Sequence, residues 1–340
     1  MTLRPTTKDL AQAAGVSLAT VDRVLNGRSG VSASSTEAVH AAIERIGFER
    51  NIVAATLARQ RGHRFLFALP ETSTEFLDVL LDRIAEFRRA SMGEMIQIGV
   101  LRLDERDPHR AARSLTAISA EDCDGVAIMA AETPQIRDAV QRMRERGINV
   151  VSFISNQPEA EGLPFVGIDN AAAGATAGRL MRRFLGPRSG SILVLADTMQ
   201  GRDSLERRLG FDTIFAGALP QLQVRPTLES YGDPDRTQRV LANAFAAHPD
   251  VVGLYLIGMQ PQLALATLAS RPSAPITIAH ERTPSTELAL REGRLDAVVH
   301  QDPGHLVRSA ARILRAQCEK RPILASQERI RIEILIAENL

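Results

Sequence analysis

The 340-residue chain has no tryptophan and only two tyrosines, Tyr231 and Tyr255. Any ring stacking on a ligand must therefore come from phenylalanine. Two cysteines, Cys123 and Cys318, are too few for a disulfide framework and show no metal-ligand spacing, and reduced thiols fit a cytoplasmic location. No stretch approaches the roughly 18 uninterrupted apolar residues of a membrane span. No apolar run follows Met1, so neither membrane insertion nor a secretory signal is expected. Lysine occurs only at Lys8 and Lys320, against 41 basic residues in all; we read this as compositional bias. Also missing are G-x-G-x-x-G, the Walker lysine motif, a nucleophile elbow and H-E-x-x-H. An enzyme is therefore not expected, nor is a metal or a cofactor.

What is present is unevenly distributed. The net charge is +1, yet residues 1–64 hold nine Lys or Arg against five Asp or Glu, while the rest holds 32 against 35. A basic segment of +4 ahead of a remainder of −3 suits phosphate neutralisation at the N-terminal end. The length exceeds one typical domain.

Residues 6–46 read as three short helices. Thr6 or Thr7 caps the first, Asp9 favours its first turn, and Leu10, Ala13 and Ala14 give it a buried stripe. Gly15 stops it. Ser17 caps a second helix over 18–25, with Val21, Val24 and Leu25 facing inward and Leu18, Ala19, Asp22 and Arg23 facing out. A third runs over 34–46, with Ala38, Ala42, Ile43 and Ile46 as its apolar face. This is the plan of a helix-turn-helix DNA reader, whose second helix enters the major groove. Arg23 suits a guanine edge and Leu18 and Ala19 a thymine methyl, while Ser17, Thr20 and Asn26 suit phosphates.

The string GVSLATVDRVLNGRSGVS, followed by IERIGFERNIVAATLA, resembles the DNA-binding headpiece of the lactose-repressor (LacI/GalR) family. It departs from the usual pattern at Asp22 (usually Ser), Arg50 (usually Pro) and Ala55 (usually Arg). The resemblance implies a headpiece over 1–49 and a hinge over 50–62 that folds into a short helix on DNA. In that hinge Leu57 would wedge into the minor groove and Ala54 would allow two hinge helices to approach. The implied DNA-contacting set is Thr7, Ser17, Leu18, Ala19, Thr20, Arg23, Asn26, Asn51, Ala54 and Leu57.

From position 64 onward short apolar runs alternate with helical patterns. Strands are expected at 64–70, 95–101, 125–130, 148–154, 165–169, 191–197, 224–230, 251–258, 275–280 and 295–302. Helices are expected at 76–90, 108–120, 133–147, 170–185, 204–219 and 233–247. This alternation predicts an α/β core with parallel sheets covered on both faces, long enough for two Rossmann-like subdomains. Ligands of such sheets bind beyond the carboxyl ends of strands. The expected division is 63–168 with 301–328, and 169–300 with 329–340.

This core resembles the family's effector domain and the related ribose-binding proteins, through GIDNAAAGATAGRLM (167–181) and RRLGF (207–211). The resemblance implies effector contacts by Thr74, Phe76, Asn156, Arg207 and Gln301. His280 and Glu281 stand where relatives carry an Asp and are also expected effector contacts, able with Arg207 to hold a neutral sugar, and Gly258, Met259 and Gln260 stand where relatives carry Asn-Asp, which leaves the ligand's identity open. Simpler readings stand beside these. Arg207 would pair with Asp203 or Glu206 at the surface, His280 would be a loop histidine, Asp169 and Asn170 would cap a helix, and Gln301 would bond between subdomains. The expected whole is a cytoplasmic, nucleoid-associated, homodimeric repressor on a pseudo-palindromic double-stranded operator. A sugar or polyol in the cleft would control it by shifting populations, as an inducer. The alternative is a solute-binding protein of sugar transport.

Overall fold

A computed structural model describes residues 5–25, 30–48, 62–157, 162–216, 221–269 and 274–340. The chain divides into two compact units, Met1–Gly62 and His63–Leu340. The hinge expected over 50–62 falls almost entirely outside the described residues, as do Asn26, Asn51, Ala54 and Leu57.

The first unit holds α1 (Thr7–Ala14), α2 (Leu18–Leu25) and α3 (Ala33–Ile46). Thr6 caps α1 in a reciprocal box: its hydroxyl accepts Asp9 N–H, and Asp9 Oδ2 accepts Thr6 N–H at 2.7 Å. Gly15 closes the helix in the left-handed region at φ 66°, which is open to glycine at little cost. Leu10, Ala11, Val21, Val39, Ala42 and Phe48 form the buried core of this unit. The sequence reading placed Ala38 on the inner face of α3 and omitted Val39. The face runs Val39, Ala42, Ile43, Ile46 at i, i+3, i+4 and i+7, and Phe48, just past Gly47, seals its end.

The second unit begins with β1 (His63–Pro70), α4 (Glu75–Ala90), β2 (Ile96–Leu103), α5 (Pro108–Thr116) and β3 (Gly125–Ile128). α6 (Pro134–Glu145), β4 (Asn149–Phe153) and β5 (Phe165–Val166) complete a parallel sheet of order β2-β1-β3-β4-β5. The chain then continues through α7 (Asn170–Leu185), β6 (Gly190–Ala196), α8 (Arg202–Phe215), β7 (Leu222–Glu229) and α9 (Pro234–Ala247). Next come β8 (Val251–Leu256), α10 (Pro261–Leu268), β9 (Ile276–His280), α11 (Pro284–Arg291), β10 (Ala297–His300) and α12 (Pro303–Cys318). The short α13 (Ala325–Glu328) leads to β11 (Glu333–Leu335). The second sheet has the order β11-β10-β9-β8-β6-β7. It is parallel except for β11, which pairs antiparallel with β10. β11 has no counterpart among the strands expected from the sequence. The sequence reading also named no helix between β8 and β9, between β9 and β10, or after β10.

The helix starts repeat one device. α5, α6, α9, α11 and α12 each open on an Asp or Thr whose side chain accepts a backbone N–H, followed by proline at the first helical position. The central strands bury both faces, and neighbouring residues go to different clusters. Ile192 and Val194 join the large core that runs through both sheets, whereas Leu193 and Leu195 face α9 and α10 residues such as Leu241 and Leu265. α12, which follows the second sheet's β10, packs on α4, β3 and β4 of the first. Its last residue Cys318 is half-buried, and Cys123 is buried. Burial raises the pKa of both thiols. No described helix is long and apolar enough to cross a membrane.

Candidate functional site

In the first unit α2 presents Leu18, Ala19, Asp22 and Arg23 on its exposed side, with Val21 buried beneath. Leu18 is 47% exposed although apolar. Ser17 caps the helix by accepting Thr20 N–H at 3.1 Å, and its hydroxyl meets that of Thr20 at 2.8 Å. Thr7 is the exposed first residue of α1. An apolar side chain at the start of a capped helix and a cation in its last turn, set on a small buried core, form a surface suited to base edges.

In the second unit the chemistry gathers where strands of the second sheet end. Arg207, on α8, is buried, and each of its nitrogens has a protein acceptor. Nε donates to Asn170 Oδ1 at 2.9 Å, Nη1 to the Ile257 carbonyl at 3.2 Å, and Nη2 to Glu281 Oε1 at 3.2 Å. The surface pairing with Asp203 or Glu206 does not form, and Glu206 instead pairs with Arg202. Gln301, just past β10, donates Nε2–H to the same Glu281 Oε1 at 2.8 Å. Glu281 follows β9 with φ at 66°, and Ile154 after β4 has φ at 65°. Backbone strain of this kind persists only where surroundings enforce it. Burial opposes the Glu281 charge, but the contacts of His300, Arg207 and Gln301 outweigh that and hold its carboxyl below the ordinary range.

The arrangement depends on a close helix crossing. A methyl added at Gly174 of α7 would lie 1.9 Å from the Arg207 carbonyl oxygen, and one at Gly210 of α8 would lie 1.9 Å from that of Ala171. The two backbones thus touch, which sets Asn170 against Arg207. Asp169, one residue earlier, caps α7 by accepting Ala172 N–H at 2.9 Å. Of the pair first read together as caps, only Asp169 caps, and Asn170 turns inward.

Four buried atoms of this group have no hydrogen-bond partner: Asn170 Nδ2, Glu281 Oε2, Gln301 Oε1 and His280 Nδ1. Such atoms are costly to leave unmade and mark a place for a ligand or ordered water. His280 is fully buried, with Nε2 2.7 Å from the Tyr255 hydroxyl. Burial, helped by the Arg207 charge, pushes its imidazole well below the usual value, so the ring is neutral. Burial also raises the Tyr255 phenol. The phenol therefore keeps its proton, and since the hydroxyl has no other acceptor among the described residues we assign that proton to the bond with Nε2 and the ring proton to Nδ1.

This has a consequence for acid stability. A folded-state pKa below about 6.5 means that the unfolded chain takes up a proton which the folded chain refuses. The stabilising contribution of neutral His280 is complete above that pH and lost as pH falls beneath it. From pH 7 to 5 the wild type should lose up to about 1.4 kcal/mol per pH unit relative to His280→Gln, as read by urea unfolding. Parallel curves would mean that His280 titrates inside the fold.

The remaining expected effector residues lie on the first sheet's loops. Thr74 is buried and caps α4, accepting Leu77 N–H at 3.2 Å. Phe76 is buried in the large apolar core. Asn156 is half-buried and accepts Gln157 N–H at 2.8 Å. No hydrogen bond among the described residues joins these three to the Arg207 group. One contact does bridge the two sets of loops. Glu75, at the start of α4, accepts Ser285 N–H at 3.1 Å with Oε2 and the Ser285 hydroxyl with Oε1.

Sequence reasoning missed Ser155 and Gln157, whose Oγ and Oε1 are also buried without partners. It also missed Asp197, whose carboxyl burial raises while it accepts Met259 N–H at 2.7 Å. All three lie just past strand ends, where ligands of such sheets bind, but no motif singles them out.

Comparison with known proteins agrees with both units. The model of bacterial regulatory proteins of the lacI family matches residues 6–51, and that of the periplasmic binding protein domain matches residues 65–322. The maltose regulon regulatory protein MalI of Escherichia coli (strain K12) is 31% identical over 168 residues, 49% of this chain and 47% of that protein. Catabolite control protein A of Streptococcus mutans is 27% identical over 180 residues, 52% of this chain and 50% of its own. The chain thus spans about half the length of these relatives. GanP, a glucose-galactose binding protein from Geobacillus stearothermophilus, superposes with a TM-score of 0.72 at 15% identity, over 82% of this chain and 99% of that one. That likeness is one of fold. Over residues 65–322 the chain belongs to the periplasmic binding protein domain family, and ahead of that core it carries a helix-turn-helix segment, residues 6–51, that matches the lacI family of bacterial regulatory proteins.

Proposed function

We propose that this protein is a cytoplasmic transcriptional regulator, of repressor type, whose affinity for a DNA operator is set by a small polyhydroxylated effector in its core. The observation that carries the reading is the presence in one chain of two complementary features. One is an exposed α2 face bearing Arg23, and the other is a core with four unpartnered buried polar atoms around Arg207. Two headpieces in a homodimer would read a pseudo-palindrome with half-sites about one helical turn apart. The effector acts by its differential affinity for two core conformations. Asn170, Glu281, Gln301 and His280 line its site, with Arg207 holding them, and Thr74, Phe76 and Asn156 face it from the first sheet's loops. A solute-binding role in transport fits the core alone but leaves the lacI-family headpiece without a task.

The test is selection of duplexes from a random pool by the full chain, repeated with sugars and polyols. We expect enrichment of one pseudo-palindrome and its release by a member of the panel. Arg23→Ala should relax the preferred base at one position per half-site and cost roughly 1–3 kcal/mol there. A pool that emerges unselected would end the operator reading, and an unchanged motif with Arg23→Ala would end the groove assignment.

A further inference from the structure

Building on the assignment of the Arg207 group as the effector site, we infer that the site selects an effector that is uncharged where it meets this group and excludes phosphorylated ones. Glu281 is the residue that sets the choice.

Arg207 is the only buried Arg or Lys among the described residues. Its charge is already matched within the protein, because the side chains of Arg207 and Glu281 are each 3% exposed and Nη2 lies 3.2 Å from Oε1. One N–H on each Nη is left over, so Arg207 can still donate, but as half of a neutral pair. A phosphate brought here would set a second negative charge beside one positive charge where water is excluded. Buried charge without a counter-charge is strongly unfavourable.

The unmade hydrogen bonds give the same answer independently. Asn170 Nδ2 and His280 Nδ1 are donors, whereas Glu281 Oε2 and Gln301 Oε1 are acceptors. The amide orientation of Gln301 follows from its donation to Glu281, and that of Asn170 from its acceptance from Arg207. A phosphate dianion offers acceptors only and leaves both acceptor atoms unmet. An ammonium offers donors only and leaves both donors unmet. Hydroxyl groups both donate and accept, so a polyol can match donors and acceptors alike. His300 Nδ1 lies 3.7 Å from Glu281 Oε2, beyond hydrogen-bond reach, and that nitrogen already accepts Arg282 N–H at 3.1 Å. Its effect on the carboxylate is electrostatic, and Oε2 is left without a hydrogen-bond partner.

The test compares thermal unfolding of the full chain in inorganic phosphate and in chloride at matched ionic strength, for wild type and Glu281→Gln. Wild type should show no difference. The variant, with Arg207 released from its partner, should gain roughly 2–4 °C in millimolar phosphate. A variant that gains nothing overturns the assignment to Glu281. Wild-type stabilisation by phosphate that Arg207→Met abolishes overturns the exclusion itself. Should Glu281→Gln fail to fold, wild type is titrated with D-glucose, D-ribose and their 6- and 5-phosphates. A phosphorylated sugar that stabilises more than its parent overturns the inference, and none doing so supports it. These readouts report the charge state of the Arg207 group, whereas the regulatory reading stands or falls separately on operator release.

Discussion

Alanine at Gly210 should cost the core about 3 kcal/mol or more in urea unfolding. The added methyl would sit 1.9 Å from the Ala171 carbonyl oxygen and 3.0 Å from Ala175 N, both backbone atoms that no side-chain rotation can move aside. α7 and α8 would have to separate by more than an ångström, which opens the packing around Phe211 and Met181. Gly174→Ala meets the Arg207 carbonyl oxygen at 1.9 Å and should behave alike. The control is Gly93→Ala, where nothing lies within 4 Å of the new methyl and stability should hold within about 0.5 kcal/mol. Gly210→Ala at wild-type stability would mean that the two helices do not meet at this distance. Because the same crossing sets Asn170 against Arg207, effector response should fall with stability in both variants.

Arg207→Met should cost about 3–5 kcal/mol, because it leaves Glu281 buried with no counter-charge. The double variant Arg207→Met, Glu281→Leu should recover most of that loss, since removing both charges removes the penalty. A double-mutant cycle in urea separates this from simple lost packing, which would make the two losses add. The pH dependence supplies a second check. The Glu281 carboxyl lies below its ordinary range when folded. Its stabilising contribution is therefore present above about pH 4.3 and is lost as pH falls through the folded value. The gap between wild type and Arg207→Met should narrow on acidification. A constant gap would show that the partner of Arg207 is not an ionised carboxylate.

Much of this architecture was legible in local signals. Gly15, Ser17 and Gly47 punctuate the headpiece at the residues where its helices start and stop, because caps are decided by one or two side chains. The start of α7 at Asn170 was readable because Asp169 is a good cap. Other features depend on partners distant in sequence. β11 is three residues long and takes its direction from β10, and no periodicity can appear in so short a run. α10 and α11 have eight residues each, too few for a helical stripe to stand out from apolar loops. In the candidate site, Arg207, Glu281 and Gln301 were each nameable, but their mutual bonds were not. They join positions 74 and 20 residues apart, and only the assembled sheet brings them within reach. The inward turn of Asn170 was hidden for the same reason: Asp and Asn are both good caps, and the partner that distinguishes them is 37 residues away.

The bond from Glu75 to Ser285 bears on timing as well as on shape. Asn170, Glu281 and Gln301 are each at most 2% exposed, so whatever fills their site must first wait for the surrounding loops to part. The Glu75 tie joins loops of the two sheets, and its breaking is expected to be one step of that parting. The tie then acts as a toll on arrival and a brake on departure, and the measured affinity equals the intrinsic one reduced by the fraction of time the passage stands open. On the proposed reading, the effector would exchange at a pace set by these loops rather than by diffusion. A shorter side chain at position 75 would quicken both directions while leaving every atom around Arg207 in place.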